Sequence, residues 1–228
     1  MKRLPLLLGM LAACAASGAP PQRVTLQYDM SRNGASMVEV TETLVHDGRS
    51  YFISSEAKGK GVFALADRGS ARRSSRGSID AQGLKPAEFR DQRGGGPQAV
   101  ARFDWAEQKL MQQFEGRDET ISLSSRVQDR LSFLYEFAFA PPSGRDIDVT
   151  VTDGRGTTRF RYKSEGRKTV KTPGGEFEAL HLVKQRDGPG DRATEIWLAT
   201  RRNYLPVRIL VVEKDGTRID QVLTRIGN

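Results

Sequence analysis

Apolar residues at every second position, punctuated by Asn-Gly and Asp-Gly pairs, restrict this chain to an architecture of antiparallel hairpins. Side chains on a strand alternate between its two faces, and an Asx-Gly pair supplies the positive-φ residues of a tight turn. Val24, Leu26 and Tyr28 alternate with polar residues as far as Asn33-Gly34; Met37 to His46 follows and is closed by Asp47-Gly48; Tyr51 to Ser55 makes a third short strand. Asp153-Gly154 and Asp215-Gly216 mark further turns, among runs such as Ile147, Val149, Val151 and the later Ile219 to Ile226. Residues 59–96, where Gly, Ser and Arg crowd positions 68–78, read as strands with mobile loops, the glycines at 94–96 forming a flexible connection. From Ala99 to Leu123 the alternation returns.

The C-terminal half carries apolar residues on both faces. Phe177, Ala179 and Val183 face one way while Leu180 and Leu182 face the other, and Leu205, Val207, Ile209 and Val211 oppose Leu210 and Val212. Such strands are buried on both sides, so something covers the outer face or fills the inner one. One segment breaks the two-residue period: Leu131, Leu134, Tyr135 and Ala138 recur at helical spacing, Phe133 and Phe137 widen the stripe, and Asp129 stands ready as N-cap. Pro141 and Pro142 end it. The pattern predicts a helix of about three turns, either a plug against the concave side of a curved sheet or a gate over an apolar cavity. The expected fold is therefore mainly β: a strongly curved antiparallel sheet, half-open or closed as a barrel, with one short apolar helix.

At the N-terminus, Lys2 and Arg3 precede an apolar run from Leu4 to Leu11. It is far shorter than the roughly 20 residues of a membrane-spanning helix and has the layout of a signal peptide. Leu11-Ala12-Ala13-Cys14 follows and resembles a bacterial lipobox, which would make residues 1–13 the signal peptide and Cys14 the lipidated first residue of the mature chain. The alternative is ordinary secretion with a cut after Ala16 or Ala19, although Pro20 makes the second site poor. Residues 14–22 read as a tether and 23–228 as one β-rich domain. The expected location is the periplasmic side of the cell envelope, as an outer-membrane lipoprotein or, alternatively, a soluble periplasmic protein; any membrane attachment is by the lipid anchor.

Cys14 is the only cysteine, so the mature domain holds no internal disulfide and no cysteine nucleophile. The formal charge of +8 reads mainly as decoration of solvent-facing strand positions, the alternative being a surface that meets anionic lipid headgroups or polysaccharide, and export together with the absence of a recognition motif argues against nucleic acid. Catalytic signatures are equally scarce. The two histidines, His46 and His181, lie in no metal-ligand spacing, and no Gly-x-Ser-x-Gly elbow occurs. Asp118 with Glu119, and Glu176 with Glu178, are acid pairs by adjacency alone. No catalytic residue, metal or cofactor is assigned. Trp105, Phe133, Phe137 and Trp197 are the candidate lining of a hydrophobic interior.

Thr172-Pro173-Gly174-Gly175-Glu176-Phe177, then Ile196-Trp197-Leu198, then Asn203-Tyr204-Leu205-Pro206-Val207-Arg208 carry a family resemblance. Together with Asp129-Arg130-Leu131-Ser132 and the Asp215-Gly216 hairpin, they make the chain, over about residues 24–226, similar to the domain-of-unknown-function family 3108. The resemblance implies an exported protein with a strongly curved antiparallel sheet, and it supplies no catalytic residues. The ending is also distantly similar to periplasmic lipoprotein carriers and receptors, whose half-open barrel shelters acyl chains. Here Ala199-Thr200-Arg201-Arg202 stands where those relatives often place an acidic residue. The implied function is non-enzymatic binding of a lipid or lipoprotein acyl chain in the curved sheet. The alternative is a membrane-tethered scaffold for another envelope component.

Overall fold

A computed structural model describes residues 20–65, 70–123, 126–188 and 190–227. The expected signal segment 1–13 and Cys14 lie outside the described residues. From the N-terminus the strands are β1 (Arg23–Arg32), β2 (Ala35–His46), β3 (Ser50–Gly59), β4 (Ala71–Asp80), β5 (Gly83–Arg93), β6 (Gln98–Asp104), β7 (Lys109–Phe114) and β8 (Arg117–Ser122). They continue with β9 (Val127–Asp129), β10 (Asp146–Thr152), β11 (Thr157–Thr172), β12 (Gly175–Lys184), β13 (Ala193–Ala199), β14 (Leu205–Val212) and β15 (Arg218–Gly227). Two short helices interrupt them, α1 (Val62–Leu65) and α2 (Ser132–Glu136).

All fifteen strands join one sheet, in the order β8-β7-β6-β5-β4-β3-β2-β1-β15-β14-β13-β12-β11-β10-β9. Every neighbouring pair is antiparallel except β9 with β10. The chain starts in the middle of the sheet, meanders outward to β8, passes to the opposite edge at β9, crosses through α2 to the adjacent parallel β10, and returns strand by strand until β15 pairs with β1. The turns sit where the Asx-Gly pairs predict them: Asn33 and Gly34 have φ 50° and 84°, and Gly48, Gly154 and Gly216 have φ 85°, 80° and 81°. At Asp47 the side chain tightens the turn further by accepting the amide hydrogens of Arg49 and Ser50 at 2.8 and 2.7 Å. The third strand runs to Gly59 rather than Ser55, and much of the Gly/Ser/Arg-rich stretch is the regular hairpin of β4 and β5. Arg and Ser there occupy both faces, which hid the alternation.

No hydrogen-bond ladder joins β8 to β9, yet the sheet curls until its two halves meet through side chains. Gln112 donates to Thr152 Oγ1 at 3.1 Å, Gln128 donates to the Leu84 carbonyl at 2.8 Å, and Arg155 donates to Asp91 at 2.7 Å. Gly154, in the turn between β10 and β11, packs so closely on β6 that a Cβ would stand 3.1 Å from that of Ala99. Its positive φ and this contact both require glycine.

Two buried clusters result. The first gathers Val24, Leu26, Tyr28, Leu44, Ile53 and Phe89 with their neighbours from the N-terminal strands, and the second gathers Ile147, Val149, Tyr162, Leu182, Ile196 and Leu198. α2 lies between them. Leu131, Tyr135 and Ala138 belong to the first cluster, Phe133 and Phe137 to the second, and Leu134 packs on both. A helix wedged between two cores is apolar all round, which is why Phe133 and Phe137 widen its stripe. Its regular part is five residues rather than the predicted three turns. Looser turns continue it, with Phe139 and Ala140 amides donating to the Glu136 carbonyl at 2.9 and 2.8 Å, before Pro141 and Pro142.

Candidate functional site

The centre of the curved sheet is the natural place to look for function, and α2 occupies it. The N-cap of α2 is Leu131 rather than the expected Asp129, which shapes the entry from two residues upstream: its Oδ1 accepts the amide hydrogens of Leu131 and Ser132 at 2.8 and 2.9 Å. Its Oδ2 accepts from Ser75 Oγ on β4 at 2.6 Å, and Ser75 in turn accepts from the Tyr51 hydroxyl at 3.0 Å. One carboxylate thus both starts the helix and fastens it to the far wall. Farther in, the Tyr135 hydroxyl donates to Glu42 Oε2 at 2.8 Å while Ser55 donates to Glu42 Oε1 at 3.1 Å. Tyr28, beside them, donates to the Pro206 carbonyl at 2.8 Å.

Burial dominates the electrostatics of this interior. It pushes Asp129 up to about 6 against the bonds from Ser75 and Ser132, and it raises Glu42 against the bonds from Tyr135 and Ser55. Glu136 rises to about 7, opposed by Arg126. Its Oε1 is buried without a hydrogen-bond partner, and the Arg126 guanidinium is 3.8 Å away.

Glu136 therefore sets a pH dependence. Between the ordinary glutamate range and about 7, the folded chain keeps a proton that the unfolded chain releases, so stability falls as pH rises across that window. The full range amounts to about 3 kcal/mol. Glu136→Gln is expected to unfold at a higher temperature than the wild type near pH 8 and at a similar temperature near pH 4. Thermal melts at both values check it; equal differences at the two would count against a titrating Glu136.

The four aromatic residues assigned to a common lining stand in three places. Phe133 and Phe137 meet edge to face at 5.6 Å, and Phe133 stacks on Tyr162 at 5.4 Å. Trp105 lies half-buried in the turn after β6, stacked on Phe103 at 5.9 Å, its indole N–H bonded to the Pro86 carbonyl at 2.6 Å. Trp197 lies on β13 between the His181 ring at 4.6 Å and the Arg208 guanidinium at 4.9 Å.

His181 is buried and not isolated. Lys168 Nζ stands 2.9 Å from its Nδ1, and Glu195 Oε2 lies 2.7 Å from its Nε2. An ammonium can only donate, so Nδ1 accepts and the ring proton resides on Nε2, directed at Glu195. The Trp197 indole stacks over the ring, which places the histidine as a packed, hydrogen-bonded spacer between strands. His46 is held by its Nε2 on the Pro20 carbonyl at 3.0 Å and by the Gly48 amide, which donates to Nδ1 at 3.2 Å. The chain is thus docked on β2 from Pro20 onward.

Acid pairs fare similarly. Asp118 and Glu119 are exposed neighbours on β8 and so point to opposite faces, while Glu176 and Glu178 are bound to Lys171 and Arg167 at 3.3 and 3.2 Å. Among the described residues, no three His, Cys, Asp or Glu side chains converge as metal ligands.

The functional candidates missed in the sequence are the buried polar residues Glu42, Ser55, Ser75 and Glu136. A signal existed for one: Glu42 falls in phase with Val38, Val40, Leu44 and His46, the inward positions of β2.

Residues 24–224 match the profile of the family described as "Protein of unknown function (DUF3108)". No curated protein matches the chain in sequence. Among solved structures, it is similar to the beta-barrel-like protein of domain of unknown function DUF1849 from Brucella abortus, with TM-score 0.59 and 10% identity over 92% of this chain and 99% of that one. Looser likenesses are to a candidate lipoprotein from Parabacteroides distasonis, with TM-score 0.37 and 8% identity over 92% and 98% of the two chains. A candidate outer membrane lipoprotein-sorting protein domain from Vibrio parahaemolyticus has TM-score 0.27 and 8% identity over 90% and 84%. At these scores the first likeness defines the fold, a beta-barrel-like curl.

Proposed function

We propose that this chain, which belongs to the DUF3108 family of proteins of unknown function, is a non-enzymatic protein of the cell envelope that holds a partner on the outside of a filled barrel. The observation that carries the reading is the occupied bowl. Tyr28, Tyr135, Phe89, Phe137, Leu26 and Leu44 are all buried to within 2% of full enclosure, and they come from both the sheet and α2. Interiors packed in this way have little void space for a guest. Two depressions on the described surface, of about 210 Å³ beside Arg159, Arg161 and Asp187 and about 350 Å³ beside Asp29, Lys60 and Thr224, are open and lined partly by charge. The location rests on Lys2-Arg3, the Leu4–Leu11 run and Cys14. Palmitate labelling that disappears in Cys14→Ala checks the anchor.

An outward surface suited to a partner is the edge strand β8, which among the described residues pairs only with β7 and leaves a row of backbone groups on its free side. A photo-crosslinking residue placed at the exposed Thr120 is expected to capture one reproducible envelope partner in cells. Diffuse capture indistinguishable from that at a site on the opposite half of the sheet would sink the reading.

One observation favours a second reading, binding of a lipid or acyl chain. α2 is held in the bowl by side chains, and its withdrawal would uncover the apolar floor of Tyr162, Leu182, Ile196 and Leu198 beneath Phe133 and Phe137. Native mass spectrometry and lipid extraction of the full chain separate the two: a stoichiometric co-purifying lipid replaces the scaffold reading.

A further inference from the structure

Where the two halves of the curled sheet meet, four arginines converge on two aspartates. Arg73 on β4 is the cross-strand partner of Asp91 on β5, and its Nε donates to Asp91 Oδ1 at 3.0 Å. Arg93, two residues along the same face of β5, donates from Nε to Asp91 Oδ2 at 2.9 Å. Arg155, from the turn after β10, reaches across the seam to the same oxygen at 2.7 Å. Asp91 itself is wholly buried. A single carboxylate shared by three guanidiniums leaves most of their N–H groups unused, since each guanidinium carries five.

Arg130 completes the cluster, and two bonds place it. Asp129, its neighbour, is fastened to Ser75, which lies two residues from Arg73 on the same face of β4. Asp129 is also the parallel partner of Thr152, so Arg130 leaves β9 beside Asp153 leaving β10. Among the described residues, the Arg130 side chain makes neither a hydrogen bond nor an ion pair within 4.0 Å, while Arg130 itself keeps solvent contact. Packed protein around it and the nearby Arg73 guanidinium both push its pKa down, while Asp153 and Asp91 oppose them. Asp153 is engaged loosely, 3.7 Å from Arg93 and 4.0 Å from Arg155. Four guanidiniums thus stand around Asp91 and Asp153, with the buried carboxyls of Asp129 and Glu42, both held up by burial, behind Arg130 and Arg73, so the cations outnumber the carboxylates paired with them.

We propose that Arg130, with the unused N–H groups of Arg73 and Arg93, forms a binding site for a phosphate-class dianion at the seam of the barrel. The planar fork of a guanidinium matches phosphate oxygens two at a time, and a phosphate monoester carries close to the two negative charges the cluster lacks. A monocarboxylate would leave one cation uncompensated. Asp91 acts as a positioning residue, holding three of the forks from beneath; Arg130 is the group left for the ligand. The phosphate could be free or the headgroup of a lipid, and the chemistry of the site is the same for both.

Calorimetric titration of the full chain tests this with inorganic phosphate and, separately, with phosphatidylcholine vesicles with and without phosphatidic acid. Saturable one-to-one binding of phosphate is expected, weakened at least about tenfold in Arg130→Ala and unchanged in Arg159→Ala, whose arginine is paired with Asp148 elsewhere on the sheet. If phosphatidic acid vesicles bind with the same dependence on Arg130 and inorganic phosphate does not, the ligand is a lipid headgroup and the site stands. Arg130 is exposed and unpaired, so its alanine variant should melt as the wild type does, which separates lost binding from lost folding. Absence of binding to both probes, or binding that Arg130→Ala leaves unchanged, overturns the proposal. Neither result bears on whether β8 captures a partner.

Discussion

Truncating Phe137 to alanine is expected to lower stability by about 3–5 kcal/mol, the usual range for a phenylalanine deleted from a packed interior. Phe137 is 2% exposed and sits in the second core cluster against Phe133. The loss combines the transfer of the ring to water with the void it leaves. Collapse is resisted on both sides, because α2 is tied to β4 through Asp129 and to β2 through Tyr135. The variant is therefore also expected to take up an apolar fluorescent dye that the wild type excludes. Urea unfolding at unchanged slope measures the first effect, and dye titration measures the second. A loss below about 1 kcal/mol would mean that α2 is loosely seated, and the lipid-binding reading would then gain on the scaffold reading.

Asp91→Ala should cost nearly as much, about 2–4 kcal/mol at neutral pH. Removing one partner of a buried ion pair leaves the others uncompensated; here three guanidiniums would face one another across the seam. The figure is set below that of a fully enclosed pair because Arg73, Arg93 and Arg155 keep side-chain exposures of 25%, 48% and 19% and can be hydrated in part. Burial by itself would raise the Asp91 carboxyl, but Arg73, Arg155 and Arg93 together hold it below the usual aspartate range. A carboxylate lowered in this way stabilises the fold above its unfolded pKa and loses that contribution as pH falls through the folded value. The gap between wild type and variant should hence be full at pH 7 and shrink below about pH 4. Thermal melts across that range decide it, and a gap independent of pH would remove the charge from the explanation. The opposite slope expected from Glu136 lies at higher pH, so the two effects can be read apart in one series of melts.

Much of the hairpin architecture was legible from local pattern. Asn33-Gly34, Asp47-Gly48, Asp153-Gly154 and Asp215-Gly216 are turns because few other residue pairs tolerate positive φ there. Alternation also located the inward face of β1, and helical spacing located α2. Its length was misjudged because the spacing persists through loose turns to Ala138, whereas the regular helix stops at Glu136. In the stretch before Gly96, polar residues on both faces erased the contrast between inside and outside. The buried charges were half legible: Glu42 and Asp91 keep the inward phase of their strands, as Val40 and Phe89 do, but phase alone cannot reveal the partner that makes a buried carboxylate tolerable.

The amino-acid sequence by itself determined what depends on neighbours in the chain: strands, turns, the place of a short apolar helix, and membership of a family. Only the tertiary structure decided that β1 pairs with β15, that α2 is wedged between two cores, and that Arg155 reaches Asp91. The Arg155–Asp91 bond joins residues 64 positions apart, and the Thr25–Gly227 pair residues 202 apart. They follow from how far a twisted sheet curls before its side chains collide, a property of the assembled strands that no single segment carries.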